Sequence, residues 1–350
     1  MKLAFVIPGD INQLTGGYGY DREIMARLPR YGIDVQHIAL GPAFPFPGDN
    51  DLRAARDVLM SLSSFHHVLC DGLAYGALPH EMIAALPYKP HAMVHHPLGL
   101  EAGLSATARA ALLAQEKVNL SLCDHIFVSS AFTAHHLEHE FDIAPQRLSI
   151  AEPGTAKAPR VIPRVKPAIV SLLAVGSLIP RKAYHHLIAS LAPLRDLSWH
   201  LTIIGAMRDV DYVKSLHALI DETGLQERIT CAGEYQAAQL NAAYEAADIV
   251  ISASLYEGYG MSLTETLMRG LPLIASTGGA AAFTVADGAG LKIPPDDVPA
   301  LTHALKVMME DEEMRHFYAE AAWRAGQALP TWDETTMIFA DYFHKREVMS

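Results

Sequence analysis

Short apolar runs alternate with longer amphipathic stretches along almost the whole chain, the pattern of parallel sheets covered by helices. In the first half the pattern predicts strands near Leu3–Ile7, Asp34–Ala39, His67–Cys70, His91–His95, His125–Ser129 and Arg147–Ile150. Helices are predicted between them near Tyr20–Leu28, Leu52–Leu62, Pro79–Leu86, Ser105–Leu122 and Phe132–Glu140. The segment 156–167, with three prolines and four basic residues, has neither helical nor strand period and reads as a linker. Beyond it the alternation restarts, with strands expected near Ile169–Val175, Trp199–Ile204, Arg228–Cys231, Asp248–Ser252, Leu273–Ala275 and Gly290–Ile293. The expected organisation is an α/β chain of two Rossmann-like, doubly wound parallel-sheet domains facing a cleft. Residues 1–155 form the acceptor-side domain and 168–330 the donor domain. A final helix within 331–350 is expected to cross back to the first domain. Ligands of such sheets bind at the carboxyl ends of the strands, so the chemistry is sought in the loops that follow them.

Composition narrows this only a little. With 350 residues there is room for two buried cores, and 50% hydrophobic against 19% charged residues fits a globular enzyme. A formal net charge of −12 argues against nucleic acid as a partner, because gripping a phosphate backbone needs a basic surface. Cys70, Cys123 and Cys231 form no CxxC spacing, which points to a reducing cytoplasm and away from structural disulfides or a thiolate metal site. The apolar run Leu3–Ile7 ends at Pro8-Gly9, too short for a membrane span or a signal-peptide core.

Two strand-end segments carry the chemistry. In the first, Ile249-Val-Ile-Ser-Ala leads into Ser254-Leu-Tyr-Glu-Gly-Tyr-Gly-Met-Ser-Leu-Thr-Glu265, and a helix is expected to begin near Ser262. Glycines at such a turn let a ligand approach the backbone, and a helix N-terminus offers N–H groups to an anion. Glu257 and Glu265 bracket the turn. Ser262-Leu-Thr-Glu265 also fits a capping box, which would occupy Glu265 without any ligand. Glu257, between a buried strand and a glycine, needs a partner, and a ligand hydroxyl would serve. The second segment is Leu173-Ala-Val-Gly-Ser-Leu-Ile-Pro-Arg-Lys-Ala-Tyr184. There Arg181 and Lys182 supply the forked guanidinium and the ammonium that a departing diphosphate requires.

The Glu-x7-Glu spacing from Glu257 to Glu265 resembles the signature of glycosyltransferase family four (glycosyl transferases group 1), retaining enzymes of the GT-B fold. The resemblance implies that Glu257 meets the donor sugar and Glu265 the nucleotide ribose. The backbone of Gly258, Tyr259, Gly260, Met261, Ser262 and Leu263 would then line the sugar and phosphates. Arg181 and Lys182 match the family's basic motif, with Ser177 and Ala183 standing where it has arginine and glycine. Gly205 and Gly233 fall where the family places the base, and Thr277–Phe283 is similar to its Gly-Gly-x-Pro-Glu stretch without the proline and glutamate. The donor implied is a nucleotide-diphosphate sugar, with UDP as the default base. Neither a metal nor another cofactor is expected.

On the acceptor side, Gly16-Gly17 resembles the family's glycine pair beside the transferred sugar. His95-His96 lies where the family often has a histidine touching that sugar, and either could be the one. His135-His-Leu-Glu-His139 fits a His-x-x-Glu-His zinc pattern, although its helix already serves as cover for a strand. Phe44 and Phe46 in Gly41-Pro-Ala-Phe-Pro-Phe-Pro-Gly48 suggest an acceptor with an apolar part, a lipid or an envelope glycan, and transient contact with the inner membrane face. Two other readings compete: a glycoside hydrolase or phosphorylase using Glu257 and Glu265, and a non-catalytic sugar-nucleotide-binding subunit.

Overall fold

The computed structural model describes residues 1–101 and 103–349, with the side chain of residue 349 left aside. Ser350, the end of the expected final segment, therefore lies outside the described residues. The chain divides into two compact units, Met1–Gly154 together with the chain from Pro330 onward, and Thr155–Leu329. Among the described residues no helix is long and apolar enough to cross a membrane.

The first unit is built on β1 (Lys2–Pro8), β2 (Asp34–Leu40), β3 (His67–Asp71), β4 (His91–Val94), β5 (Ile126–Val128) and β6 (Leu148–Ile150). They form one parallel sheet in the order β2-β1-β3-β4-β5-β6. Leu3 through Ile7 are wholly buried. A central parallel strand is covered on both faces, so it reads as a continuous apolar run rather than an alternation. The strand order reverses between β1 and β3, and a crevice opens beyond their carboxyl ends at such a switch point.

Thr331 and Glu334 cap each other at the start of the helix Trp332–Met349, with Thr331 N–H donating to Glu334 Oε2 at 2.7 Å. This helix lays Phe339 on Phe127 at 4.1 Å between ring centroids and Tyr342 on His125 at 4.0 Å. Gly154 is obligatory beside it, since a Cβ there would stand 2.2 Å from the Trp332 nitrogen.

The second unit contains β7 (Val170–Val175), β8 (Trp199–Ile204), β9 (Ile229–Gly233), β10 (Ile249–Ser252), β11 (Leu273–Ser276) and β12 (Leu291–Ile293). Its parallel order is β12-β11-β10-β7-β8-β9. Here the switch point lies between β7 and β10, the dinucleotide-binding arrangement. The prolines of the segment leading into β7 keep it out of helix and strand. It is nevertheless tied down: Val161 N–H donates to the Arg269 carbonyl, and Arg164 pairs with Asp248.

Candidate functional site

The loops after β7 and β10 flank the switch point of the second unit and are stitched together by main chain. Leu255 N–H donates to the Arg181 carbonyl at 2.8 Å, and the Arg181 guanidinium donates to the Tyr256 carbonyl at 2.8 Å. Residues 180–182 make one tight turn that throws both cations toward Glu257. Lys182 Nζ donates to Glu257 Oε1 at 2.6 Å, Ser254 Oγ donates to the same oxygen at 2.6 Å, and Arg181 stands 3.5 Å from Oε2. Burial would push the Glu257 carboxyl up, but Lys182 first and Arg181 second outweigh it and hold the group at about 2. The result is a buried site with two cations and one permanent anion, net positive by one charge. Gly176 makes room for it, since a Cβ at that position would approach Lys182 Cε to 2.8 Å.

The helix of this site runs over Met261–Arg269, one residue earlier than the sequence suggests, because Gly260 takes a left-handed φ of 98° as its N-cap. The shift removes the capping-box reading of Glu265. Ser262 sits inside the helix, and its carbonyl accepts from Thr266 Oγ1. Glu265 falls in the second turn, half-buried, where Tyr244 Oη donates to Glu265 Oε2 at 2.9 Å. Burial raises the Glu265 carboxyl, opposed by Tyr244 and then by Arg269, whose guanidinium lies 4.4 Å over the Tyr244 ring. Glu257 likewise has partners within the protein. The two glutamates therefore sit in separate hydrogen-bond networks at the two ends of one turn.

Three glycines end neighbouring strands. Gly205 N–H donates to the Gly233 carbonyl, and a Cβ on Gly205 would lie 2.0 Å from the Gly176 carbonyl oxygen. Close backbone packing accounts for Gly205, whereas Gly233 has open space around it. Phe283 is largely exposed, and Gly278 and Gly279 pack against the backbone of Leu255 and Glu257.

In the first unit, Thr15 caps the helix Gly16–Arg27 by accepting from Tyr18 N–H. Its first turn brings Gly17 against the histidine that follows β4: a Cβ on Gly17 would stand 3.4 Å from His95 Cδ2. His95 Nε2 lies 3.2 Å from Asp21 Oδ1 and 3.3 Å from Asp71 Oδ2. His96 instead turns to Glu101, 3.1 Å away. Of the histidine pair, His95 is thus the one beside the glycines. Burial works against charge on His95, but Asp21 and Asp71 together prevail and raise it to about 10. In the His-x-x-Glu-His segment, His135 and His139 stack at 4.0 Å and His139 Nδ1 bonds the His135 carbonyl. The one group of described residues spaced to hold an ion is Asp21, Asp71 and His95. The loop aromatics part company: Phe44 is 6% exposed and joins the first-unit core, while Phe46 is 64% exposed.

Residues 164–324 match the family model described as "Glycosyl transferases group 1". The second unit, which holds Arg181, Lys182, Glu257 and Glu265, carries this match. Among curated relatives of this glycosyltransferase group, the chain is 29% identical over 210 residues to the D-inositol 3-phosphate glycosyltransferase of Corynebacterium glutamicum, covering 55% of this chain and 50% of that protein. It is 27% identical over 311 residues to the MMP alpha-(1->4)-mannosyltransferase of Mycolicibacterium hassiacum, covering 81% and 73%. The chain thus spans about half the length of the first of these relatives. Sucrose-phosphate synthase from Thermosynechococcus elongatus shares the fold over 100% of both chains, with a TM-score of 0.84 at 19% identity. Anabaena HepE in complex with UDP-glucose superposes over 100% of both chains with a TM-score of 0.75 at 16% identity. The fold is GT-B. Where the group has glycine after its lysine, Ala183 here accepts a left-handed φ of 50°, the conformation that glycine adopts without steric cost.

Several site residues escape a reading of the sequence. Ser254 and Tyr244 hold the two glutamates, yet Tyr244 lies 21 residues from Glu265 and nothing local links them. Asp71 was more accessible to inference, as a carboxylate at the end of a buried strand. Asp21 lies on the buried face of its helix beside Tyr20, and a charge on such a face calls for a partner.

Proposed function

We propose that the chain is a retaining glycosyltransferase that moves a sugar from a nucleotide-diphosphate donor, with UDP as the base, to a hydroxyl of a glycan acceptor. The observation that carries this reading is the pairing of Arg181 and Lys182 with the N-terminus of the helix Met261–Arg269 on the two sides of one switch point. Such a place suits a diphosphate: the helix start supplies N–H groups, and two cations meet charge that grows on the leaving oxygen. In the reaction the bond from the anomeric carbon to the phosphate oxygen breaks, the acceptor oxygen bonds to that carbon, and the acceptor proton leaves with the diphosphate. Arg181 and Lys182 stabilise the departing charge, Glu257 fixes Lys182 and faces the sugar, and Glu265 receives the ribose. Gly17 and His95 serve the transferred sugar. This chemistry needs no metal, so turnover should persist in EDTA.

Support for the nucleotide comes from HepE, whose solved complexes contain UDP and UDP-glucose. The relatives named for inositol 3-phosphate and MMP, and the lipopolysaccharide outer core galactosyltransferase WaaB, favour a carbohydrate acceptor over a diacylglycerol. The hydrolase reading fits the geometry poorly. Glu257 is held ionised by two cations, so it has no proton to give a leaving group, and Glu265 belongs to another network. A thermal-shift screen of UDP-, GDP- and ADP-sugars, followed by an assay of nucleoside diphosphate release, tests the proposal. Stabilisation by UDP-sugars and release of UDP with a glycan acceptor is expected. Absence of stabilisation by any nucleotide sugar would overturn it, and binding without turnover would favour the non-catalytic subunit.

A further inference from the structure

The cluster around His95 is tighter than contact with a sugar requires. Asp21 has no exposed surface and Asp71 very little, yet both aim a carboxylate oxygen at the same ring nitrogen. Two carboxylates this close in a buried place need a positive charge or a shared proton between them. A neutral imidazole presenting a lone pair at Nε2 would repel both.

Every other contact of the residue fixes its orientation. Ser129 Oγ donates to the His95 carbonyl at 2.7 Å, and the Tyr20 ring meets the imidazole edge-on at 5.2 Å. Tyr20's own hydroxyl is spent on the Ala151 carbonyl, so Asp21 and Asp71 are the charged groups facing the ring. Gly17 lies against Cδ2, which closes the Cδ2–Nε2 edge. His95 keeps 21% of its side chain exposed, and Nδ1 makes no hydrogen bond among the described residues. Asp71 is itself immobilised, its Oδ1 accepting from Leu73 N–H at 2.8 Å where β3 runs into a helical turn.

We infer that Asp21 and Asp71 are positioning residues that hold His95 as an imidazolium through Nε2, leaving Nδ1–H to donate a hydrogen bond to a hydroxyl oxygen of the bound sugar. The identity of the ligand rests on the function proposed above; the state of the ring does not. With both nitrogens protonated the ring has no lone pair, so His95 orients and polarises but takes no proton from the acceptor. A ring without the carboxylates would be neutral above its ordinary value near 6.5, and able to accept as well as donate.

The test is nitrogen NMR of the full chain labelled at histidine, titrated with pH without any nucleotide sugar, with His95→Gln assigning the resonance. His95 is expected to remain doubly protonated through neutral pH. Asp71→Asn, which keeps the Leu73 hydrogen bond, is expected to bring its titration down toward neutrality, and Asp21→Asn to do the same if it folds. In Asp71→Asn, kcat/KM should acquire an alkaline limb near neutral pH that the parent lacks, a change that damaged packing alone does not produce. The same three ligand atoms are close enough to surround a cation, so the parent is also titrated after EDTA treatment and metal analysis. A ring that titrates near its ordinary value, or a stoichiometric divalent ion bound to a neutral His95, would overturn the inference. Because the NMR titration and the metal analysis need no turnover, they can succeed where the glycosyl-transfer reading fails, and the converse.

Discussion

Lys182 Nζ sits 2.6 Å from Glu257 Oε1 while Arg181 stands 3.5 Å from the other oxygen, so the lysine carries most of the pairing and the arginine is less committed. Lys182→Ala and Arg181→Ala should each lower kcat by about a hundredfold or more, the scale for loss of one donor to developing charge. They should differ in stability. Lys182→Ala strands a buried carboxylate, a defect worth roughly 3–5 kcal/mol, whereas Arg181→Ala leaves the short pair intact. Adding Glu257→Gln to Lys182→Ala should recover most of the melting temperature and none of the turnover. Recovery of both would show that Lys182 is structural.

Tyr244 is the hydrogen-bond donor that orients Glu265. Tyr244→Phe removes that bond while keeping the ring under Arg269. Nucleoside diphosphate affinity measured by calorimetry should fall by roughly tenfold, as about 1.5 kcal/mol for a bond to a charged group implies. Glu265→Ala should weaken the same binding at least as much. Unchanged affinity in both variants would remove Glu265 from the nucleotide site.

Strand-level architecture was legible because parallel strands buried on both faces are continuous apolar runs, as Leu3–Ile7 and Ile249–Ile251 show. The glycine-bearing turn between Glu257 and Glu265 stood out for a related reason: polar chemistry punctuating an apolar run is local in sequence. What resisted inference was everything decided by three-dimensional proximity. The capping-box pattern at Ser262 was a false lead because a left-handed Gly260 starts the helix one residue earlier. The cationic partners of Glu257 came from a loop about 75 residues away, since β7 and β10 are neighbours only in the sheet. Phe44 and Phe46 look alike in sequence, and only burial in the first-unit core separates them.

The final helix makes the first unit sensitive to acid. His67 Nδ1 and His91 Nε2 lie 3.1 Å apart, His91 packs on Phe343, and His125 stacks on Tyr342. Burial is the main cause that lowers all three, His91 to about 3 and His125 to about 4. Asp124 pulls the other way, but it is shared with Arg346. In the unfolded chain each histidine takes up its proton near 6.5. The unfolded state therefore binds more protons below that pH, and stability should fall as pH drops from about 6.5 toward about 4. Hydrogen exchange should show the helix Trp332–Met349 losing protection across that window. His91→Gln and His125→Gln should flatten the dependence. A flat profile in the parent would mean that the histidines are already solvated.

Membrane contact through the proline-rich loop now depends on one ring. Phe44 is built into the core, so Phe44→Ser should destabilise the chain by about 3–5 kcal/mol, the cost of emptying a buried phenylalanine site, and a lost activity there would report on folding. Phe46 is the informative position: it is exposed, and its replacement by serine should leave the melting temperature nearly unchanged. A single exposed ring gives weak, reversible attachment at best, because stable peripheral binding takes two signals. The second signal is missing in the usual electrostatic form, since a net charge of −12 is repelled by anionic lipid. The parent chain is therefore expected to stay in the supernatant when sedimented with neutral or anionic vesicles, and Phe46→Ser to behave identically. Transfer to a soluble glycan acceptor should be the same for both. Sedimentation of the parent with vesicles, abolished by Phe46→Ser, would instead assign the loop to a membrane surface and return a lipid to the candidate acceptors.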